Sequence, residues 1–257
     1  MPWDPERYNQ FQAERFAPFV DALALVRVRP RLSVIDLGCG AGELTRKLAD
    51  ALPESDVLGI DSSREMLAKA AAHARPGLRF EQKTIEEASG AYDLVFSHAA
   101  IQWVDDHTNL VPRLLRMVRP GGQLVVQEPS NHGHATHLLI RTIASEDPFR
   151  AALAGFSRAS PVLGIDEYAR LLHASGGLDL VVFEKVYPHV LRGADALADW
   201  TSGTALVPYF ERLPREMHND FMQRYRDRLA ALFPGEAVFY GFRRTLFSAT
   251  VTGPSAS

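Results

Sequence analysis

A chain of 257 residues with 46% hydrophobic side chains can bury a substantial core, and its length suits one α/β domain with insertions better than two independent domains. Twenty-eight Lys and Arg against 31 Asp and Glu leave a net charge of −3, which excludes the broad positive field that draws in nucleic acid or anionic membranes. A single cysteine, Cys39, excludes an intramolecular disulfide; no apolar run reaches the roughly 18 residues of a membrane span, and MPWDPERYNQF at the N-terminus lacks a secretory pattern, so a cytoplasmic location is expected.

The first expected element is a helix over about 5–26, carrying Phe11, Phe16, Phe19, Val20 and Leu23. Short apolar runs follow at 32–37, 57–61, 78–82, 92–97 and 122–128, separated by helical stretches at 43–52, 62–74 and 107–118. In the last of these, Pro112 marks the expected start of the helix. The RPGGQL turn at 119–124 stops that helix and re-enters a strand. Strict alternation of strand and helix predicts a mainly parallel sheet covered on both faces, because each parallel connection needs a crossover.

Past residue 129 the alternation loosens. Residues 130–164 read as a helix and a loop that cap the core, followed by a helix at 165–177, a long strand at 178–191, helices at 194–204 and 214–232, and a last strand at about 237–250. The expected fold is therefore α/β and doubly wound, a mainly parallel seven-stranded sheet with an antiparallel C-terminal edge strand and helical capping insertions. Its divisions are a lid helix at 1–30, a cofactor-binding core at 31–129, mixed core and acceptor-capping segments at 130–236, the last strand at 237–250, and a disordered GPSAS-type tail at 251–257.

The chemistry starts where the first strand runs into glycine: VIDLGCGAGE, with Gly38, Gly40 and Gly42. In open α/β sheets the ligand lies beyond the carboxyl ends of the strands, and glycines at this interval permit positive φ and close approach of the backbone. A dinucleotide fingerprint needs a small residue where Glu43 stands, and no lysine follows as a phosphate loop requires. An anion there repels a pyrophosphate but not a cationic sulfonium. A nicotinamide-dependent oxidoreductase is thereby disfavoured.

VIDLGCGAG closely resembles the first motif of the class I S-adenosylmethionine-dependent methyltransferases, and the resemblance extends through the first half of the chain. It implies that fold, with S-adenosylmethionine as cofactor and S-adenosylhomocysteine as product. By that resemblance Asp36, Gly38, Cys39, Gly40 and Gly42 form the methionine end of the site, and Asp61 of GIDSS, with Ser62, holds the ribose hydroxyls. Met66, Thr84 and Ile85 lie about the adenine, and Ser97 sits in the strand beneath the cofactor. Thr84 departs from the family, which commonly has an aspartate there to accept from the adenine amino group. Cys39 reads as a small packing residue rather than a reactive thiol.

Further stretches are similar to the trans-aconitate 2-methyltransferase family: WDPERYNQFQAERFAPF, AAIQWVDDH, VVQEPSN, THLLIR and ADWTSGTALVPYF, together spanning most of the chain. That likeness implies methylation of a carboxylate on a small acid to give a methyl ester. It puts Trp3, Tyr8 and Arg15 in an N-terminal lid, and Gln102, Trp103, His137, Tyr168, His189, Trp200 and Arg244 near the acceptor. Arg15 and Arg244 are the candidates for fixing the carboxylate, since a multiply charged acid needs fixed cationic donors. Ala17 and Val207 stand where that family often has arginines, which argues for an acceptor with fewer carboxylates. An ionised carboxylate is already nucleophilic and needs no general base, only alignment and exclusion of water. The alternative is O- or N-methylation of a phenol, hydroxyl or amine with His98 as base. The HGHATH cluster at 132–137 is read as part of a helix entry, and no metal is expected.

Overall fold

The computed structural model describes residues 12–252, with side chains from residue 16 onward. The first helix in it is α1 (Gln12–Ala24), which keeps Pro18 within its second turn. Then β1 (Ser33–Leu37), α2 (Glu43–Ala51), β2 (Asp56–Asp61), α3 (Arg64–Ala70), β3 (Leu78–Gln82), β4 (Tyr92–His98), α4 (His107–Arg116) and β5 (Val118–Pro129) alternate as the apolar runs predict. Past them come α5 (Ala135–Ala144), α6 (Phe149–Ala152), α7 (Ile165–Ala174), β6 (Leu178–Arg192), α8 (Gly193–Ser202), α9 (Val207–Phe210), α10 (His218–Leu232) and β7 (Ala237–Thr250).

The strands form one seven-stranded sheet in the order β3-β2-β1-β4-β5-β7-β6. Parallel registers join β3, β2, β1, β4 and β5, and β7 runs antiparallel along β5 with Gln127 opposite Leu246. The last strand is thus antiparallel as expected; it lies between β5 and β6, so β6 takes the outer position. Alternate residues of the strands feed two cores, as a sheet covered on both faces requires. One contains Phe19, Val34, Leu48, Phe96, Val125 and Leu246; the other contains Ile35, Val95, Leu110, Val126, Tyr168 and Phe247.

Two local details differ from the sequence reading. Helix α4 begins at His107, where the Asp106 carboxylate caps it by accepting from Asn109 N at 3.2 Å, and Pro112 sits inside it. The cap and the burial of Leu110, Val111, Leu114 and Leu115 together outweigh the cost of the proline, which therefore does not set the start. The RPGGQL turn is absorbed into β5, with a register irregularity between Tyr92 and Leu94 and Gly121 at φ 79°.

The chain forms two compact units. The sheet unit takes Phe16–Pro129, Pro161–Lys185 and residues from Arg244 onward. The helical unit takes Ser130–Ser160 and Val186–Arg243. Its own core includes Ile140, Phe149, Leu197, Tyr209, Phe221 and Tyr225. Phe149 meets Phe221 edge-on at 4.9 Å, Thr201 Oγ1 and Tyr225 Oη are 2.8 Å apart, and Arg228 donates to both oxygens of Glu146 at 2.8 and 2.6 Å. Among the described residues no helix is long and apolar enough to cross a membrane.

Candidate active site

The glycine turn is built by contacts at the carboxyl end of β2. Gly38 N and Cys39 N both donate to Ile60 O at 2.9 Å. Gly40 N donates to Asp61 Oδ2 at 2.9 Å, and Ser63 N donates to Asp61 Oδ1 at 2.8 Å. Asp61 therefore clamps two loops while each oxygen keeps a further lone pair for a hydroxyl donor. Gly38, Gly40 and Gly42 have φ of 79°, 54° and 81°, a region that only glycine enters without strain. A Cβ at Gly38 would stand 2.2 Å from Ala100 Cβ, whereas one at Gly40 would meet nothing within 4 Å. The turn is packed on one side and open on the other, a cradle suited to a ligand that needs close backbone approach.

Asp36 is 4% exposed and accepts from Thr45 Oγ1 at 2.6 Å. Burial pushes its carboxyl up to about 7, against the pull of the Thr45 bond and with a further push from Asp61. A cationic ligand in the cradle draws such a carboxyl back toward its ionised form. Burial likewise pushes the Cys39 thiol well above its ordinary value, with Asp36 and Asp61 adding to the effect. The folded protein is therefore expected to leave Cys39 unmodified by an aromatic disulfide reagent over an hour at pH 8, and to react once unfolded in guanidinium. Rapid labelling of the native protein would contradict the packing role.

Other cofactor candidates have structural partners. The α3 cap is Ser63, whose Oγ accepts from Met66 N at 3.3 Å; Ser62 precedes it, exposed, with its carbonyl accepting from Gln82. Thr84 Oγ1 accepts from Glu87 N at 3.2 Å, and Ile85 is 9% exposed. Ser97 is fully buried and donates to Leu37 O at 3.1 Å, tying β4 to β1. Trp3 and Tyr8 lie outside the described residues, as does the side chain of Arg15.

The acceptor candidates of the sheet unit gather at the carboxyl ends of β4 and β5 and the part of β7 that pairs with the end of β5. His98 is in register with Gln127, and Arg244 with Pro129, two residues on, so all three share one sheet face. That face carries Phe96, Val125 and Leu246 deeper in the sheet, and Phe19 of α1 meets His98 edge-on at 5.7 Å. Arg244 is 5% exposed. Burial, together with the nearby Arg244 charge, lowers His98 to about 3, so its ring is neutral at physiological pH. Gln102 turns back on its own loop, donating to Ala99 O at 2.7 Å, and Trp103 is 49% exposed.

Tyr168 lies on the opposite face. It is fully buried, stacked on Phe247 at 4.7 Å, with its hydroxyl 2.6 Å from Glu128 Oε1 and 2.5 Å from His107 Nδ1, and it accepts from Leu163 N at 3.1 Å. His107 Nε2 is 2.9 Å from Ile101 O, the carbonyl preceding Gln102 and Trp103. Tyr168 is thus linked through His107 to the turn that carries Gln102 and Trp103. Sequence reasoning missed Gln127, Glu128 and His107; the signal available for the first two was a pair of polar residues closing the apolar run of a central strand, VVQEP.

The helical unit holds the remaining three. His137 and His134 both direct Nδ1 at Thr136 Oγ1, at 3.1 and 3.0 Å, and burial with the neighbouring His134, His132 and Arg141 lowers His137 to about 4. His189 packs on Trp200 at 4.8 Å, in a cluster with Tyr240 and Phe242. Among the described residues no group of three His, Cys, Asp or Glu is arranged to hold a metal ion.

A family profile described as a methyltransferase domain matches residues 34–122, the glycine turn through β4 and into β5. A protein of Deinococcus radiodurans named trans-aconitate 2-methyltransferase is 50% identical, covering 97% of this chain and 98% of its own. The chain belongs to the trans-aconitate 2-methyltransferase family. A relative of the same name from Methylobacterium nodulans is 37% identical over 91% of this chain and 92% of its own. Among solved structures, the Bacillus subtilis YcgJ protein superposes with a TM-score of 0.61 at 14% identity, covering 93% of this chain and 100% of its own. Haemonchus contortus phosphoethanolamine N-methyltransferase 2, in complex with S-adenosyl-L-methionine, does so with 0.56 at 17% identity, covering 93% of this chain and 52% of its own. At that identity these two establish the fold. This family member is an S-adenosylmethionine-dependent methyltransferase, and its cradle of open Gly40, Asp36 and Asp61 fits that cofactor.

Proposed function

We propose that this chain methylates one carboxylate of trans-aconitate, or of a closely similar small polycarboxylic acid, to a methyl ester in the cytoplasm. The observation that carries the reading is the 50% identity, over nearly the whole of both chains, to a protein named for that reaction. S-adenosylmethionine supplies a methyl group activated by its sulfonium. The carboxylate oxygen needs no proton removed, so the chain's own residues have to bind, orient and dry the acceptor. Arg244, 5% exposed within β7 beside the carboxyl end of β5, is suited to hold an acceptor carboxylate. His98 also favours this reading over a phenol or amine acceptor. A ring lowered to about 3 is a poor proton acceptor at neutral pH, where a general base works best with a value near the operating pH.

The test is S-adenosylhomocysteine release, with mass-spectrometric identification of the product, against trans-aconitate, cis-aconitate, monocarboxylic acids, phenols and amines. Turnover of trans-aconitate to a monomethyl ester is expected. Arg244→Gln is expected to raise the KM for that acid at least tenfold, while S-adenosylhomocysteine binds within threefold of wild type. Inertness toward polyacids, with turnover of a monoacid or phenol, would overturn the reading and make Ala17 and Val207 marks of a changed substrate.

A further inference from the structure

We infer that Gln127 is a ligand of the acceptor acid, donating its side-chain amide to a carboxylate. The inference rests on the carboxylate-methylation reading and assigns that site a residue with no sequence role. Gln127 has no exposed surface, and neither Nε2 nor Oε1 finds a hydrogen-bond partner among the described residues. Its backbone is fully engaged in the sheet, with Gln127 O accepting from Ala99 N at 2.8 Å. A buried amide with both ends unmade is costly, and folded proteins retain such a group where something outside the fold completes it.

The position says what completes it. Gln127 is the first polar side chain on its strand face after apolar Val125, in register with His98 on one side and Leu246 on the other, and one step below the Pro129–Arg244 pair. Neighbouring His98 also has Nδ1 buried without a partner among the described residues. On this face Arg244 is the charge beside His98, close enough to depress it; the acids Asp36 and Asp61 share the face but sit at the glycine turn on β1 and β2, and the neighbouring acid on the strand, Glu128, alternates to the other face, where Tyr168 holds it. An anion is favoured beside Arg244, and the Gln127 NH2 offers it a neutral second donor. A neutral donor suits this reaction: the reacting carboxylate loses its charge as the methyl is transferred, and a second fixed cation would hold the substrate more tightly than the transition state.

The test compares Gln127→Met, which keeps the volume and removes the donor, with Gln127→Glu, which replaces the donor by an acceptor-only anion. Wild-type turnover of trans-aconitate is measured first; if no carboxylic acid is methylated, the functional reading itself fails and this inference falls with it. With wild type active, Gln127→Met is expected to raise KM about tenfold and Gln127→Glu at least a hundredfold, kcat changing less. S-adenosylhomocysteine affinity should stay within threefold, and the melting temperature of Gln127→Met should equal or exceed that of wild type, because a core amide without a protein partner contributes no stability. KM unchanged in Gln127→Met, or S-adenosylhomocysteine binding weakened as much as acid binding, would overturn the inference and return Gln127 to the scaffold or the cofactor. Should Gln127→Glu not fold, Gln127→Met alone decides between these outcomes.

Discussion

Gly38→Ala is expected to destabilise the protein by about 3 kcal/mol or more, whereas Gly40→Ala is expected to leave it folded and to weaken S-adenosylmethionine binding at least tenfold. Two residues apart in the same turn, these glycines face different surroundings. At Gly38 a new methyl would sit 2.2 Å from Ala100 Cβ, and alanine has no rotamer by which to retreat, so backbone must move. The φ of 79° adds left-handed strain of about 1–2 kcal/mol. At Gly40 the φ of 54° costs an alanine the same backbone strain of about 1–2 kcal/mol, but no protein atom lies within 4 Å of the added carbon, so no clash is added to it. The methyl instead occupies the open side of the cradle, next to the amide that donates to Asp61. Urea denaturation and calorimetric titration with S-adenosylmethionine measure the two effects separately. A Gly38→Ala midpoint equal to wild type would show that the turn is not packed against Ala100 as described, and Gly40→Ala binding the cofactor at full strength would show that the turn's open side is not where the cofactor lies.

The glycine turn and its Asp61 clamp were legible in the sequence because their determinants are local. The strand VIDL, the glycines after it and Asp61 at the next strand's end lie within one strand–helix–strand unit, where periodicity and spacing fix geometry. The last strand's antiparallel direction was also readable, since strand, helices and strand end the chain. Its place between β5 and β6 was not, because pairing partners are chosen across more than a hundred residues by which apolar faces match. Tyr168 shows the same limit. Its sequence position gives no sign of which sheet face it meets, and only the alternation of Gln127 and Glu128 in β5 puts it opposite His98 and Arg244. The Pro112 expectation failed for a different reason: a side-chain cap six residues earlier and the buried Leu110, Val111, Leu114 and Leu115 together outweigh the proline.

Glu128→Gln is expected to cost little stability at pH 5 and to become progressively more stable than wild type as the pH rises to 8. The reason is a count of protons. His107 Nε2 faces Ile101 O at 2.9 Å, a group that only accepts, so Nε2 carries the proton and a neutral ring presents Nδ1 as an acceptor to the Tyr168 hydroxyl at 2.5 Å. Tyr168 has one proton to give, and it already accepts from Leu163 N at 3.1 Å. The 2.6 Å contact with Glu128 Oε1 is then satisfied when the carboxyl supplies the proton itself. Burial acts in the same direction, pushing Glu128 up to about 8 against the pull of the Tyr168 bond, while burial holds His107 below its ordinary value. The other charges near this chain are Asp105 and Asp106 beside His107 and Glu167 beside Tyr168.

Because the folded value lies above the unfolded one, the native state binds more protons between about 4.5 and about 8. The Glu128 contribution is complete below that window and declines through it, by at most about 1.4 kcal/mol per pH unit. Glutamine keeps a donor for Tyr168 and has nothing to lose. Tyr168→Phe, by contrast, strands Leu163 N, the Glu128 carboxyl and His107 Nδ1 together, and is expected to cost about 3 kcal/mol or more at every pH. Urea denaturation of the three proteins at pH 5, 6, 7 and 8 distinguishes these outcomes, and the difference between Glu128→Gln and wild type removes the pH dependence that Asp36 and His107 contribute to both. Parallel stability profiles would mean that Glu128 is ionised in the fold and that Tyr168 donates to it, leaving His107 to carry a second proton toward the tyrosine oxygen. Diverging profiles would establish a neutral buried acid as the anchor through which Tyr168 and His107 hold the Ile101 carbonyl, and with it the loop bearing Gln102 and Trp103.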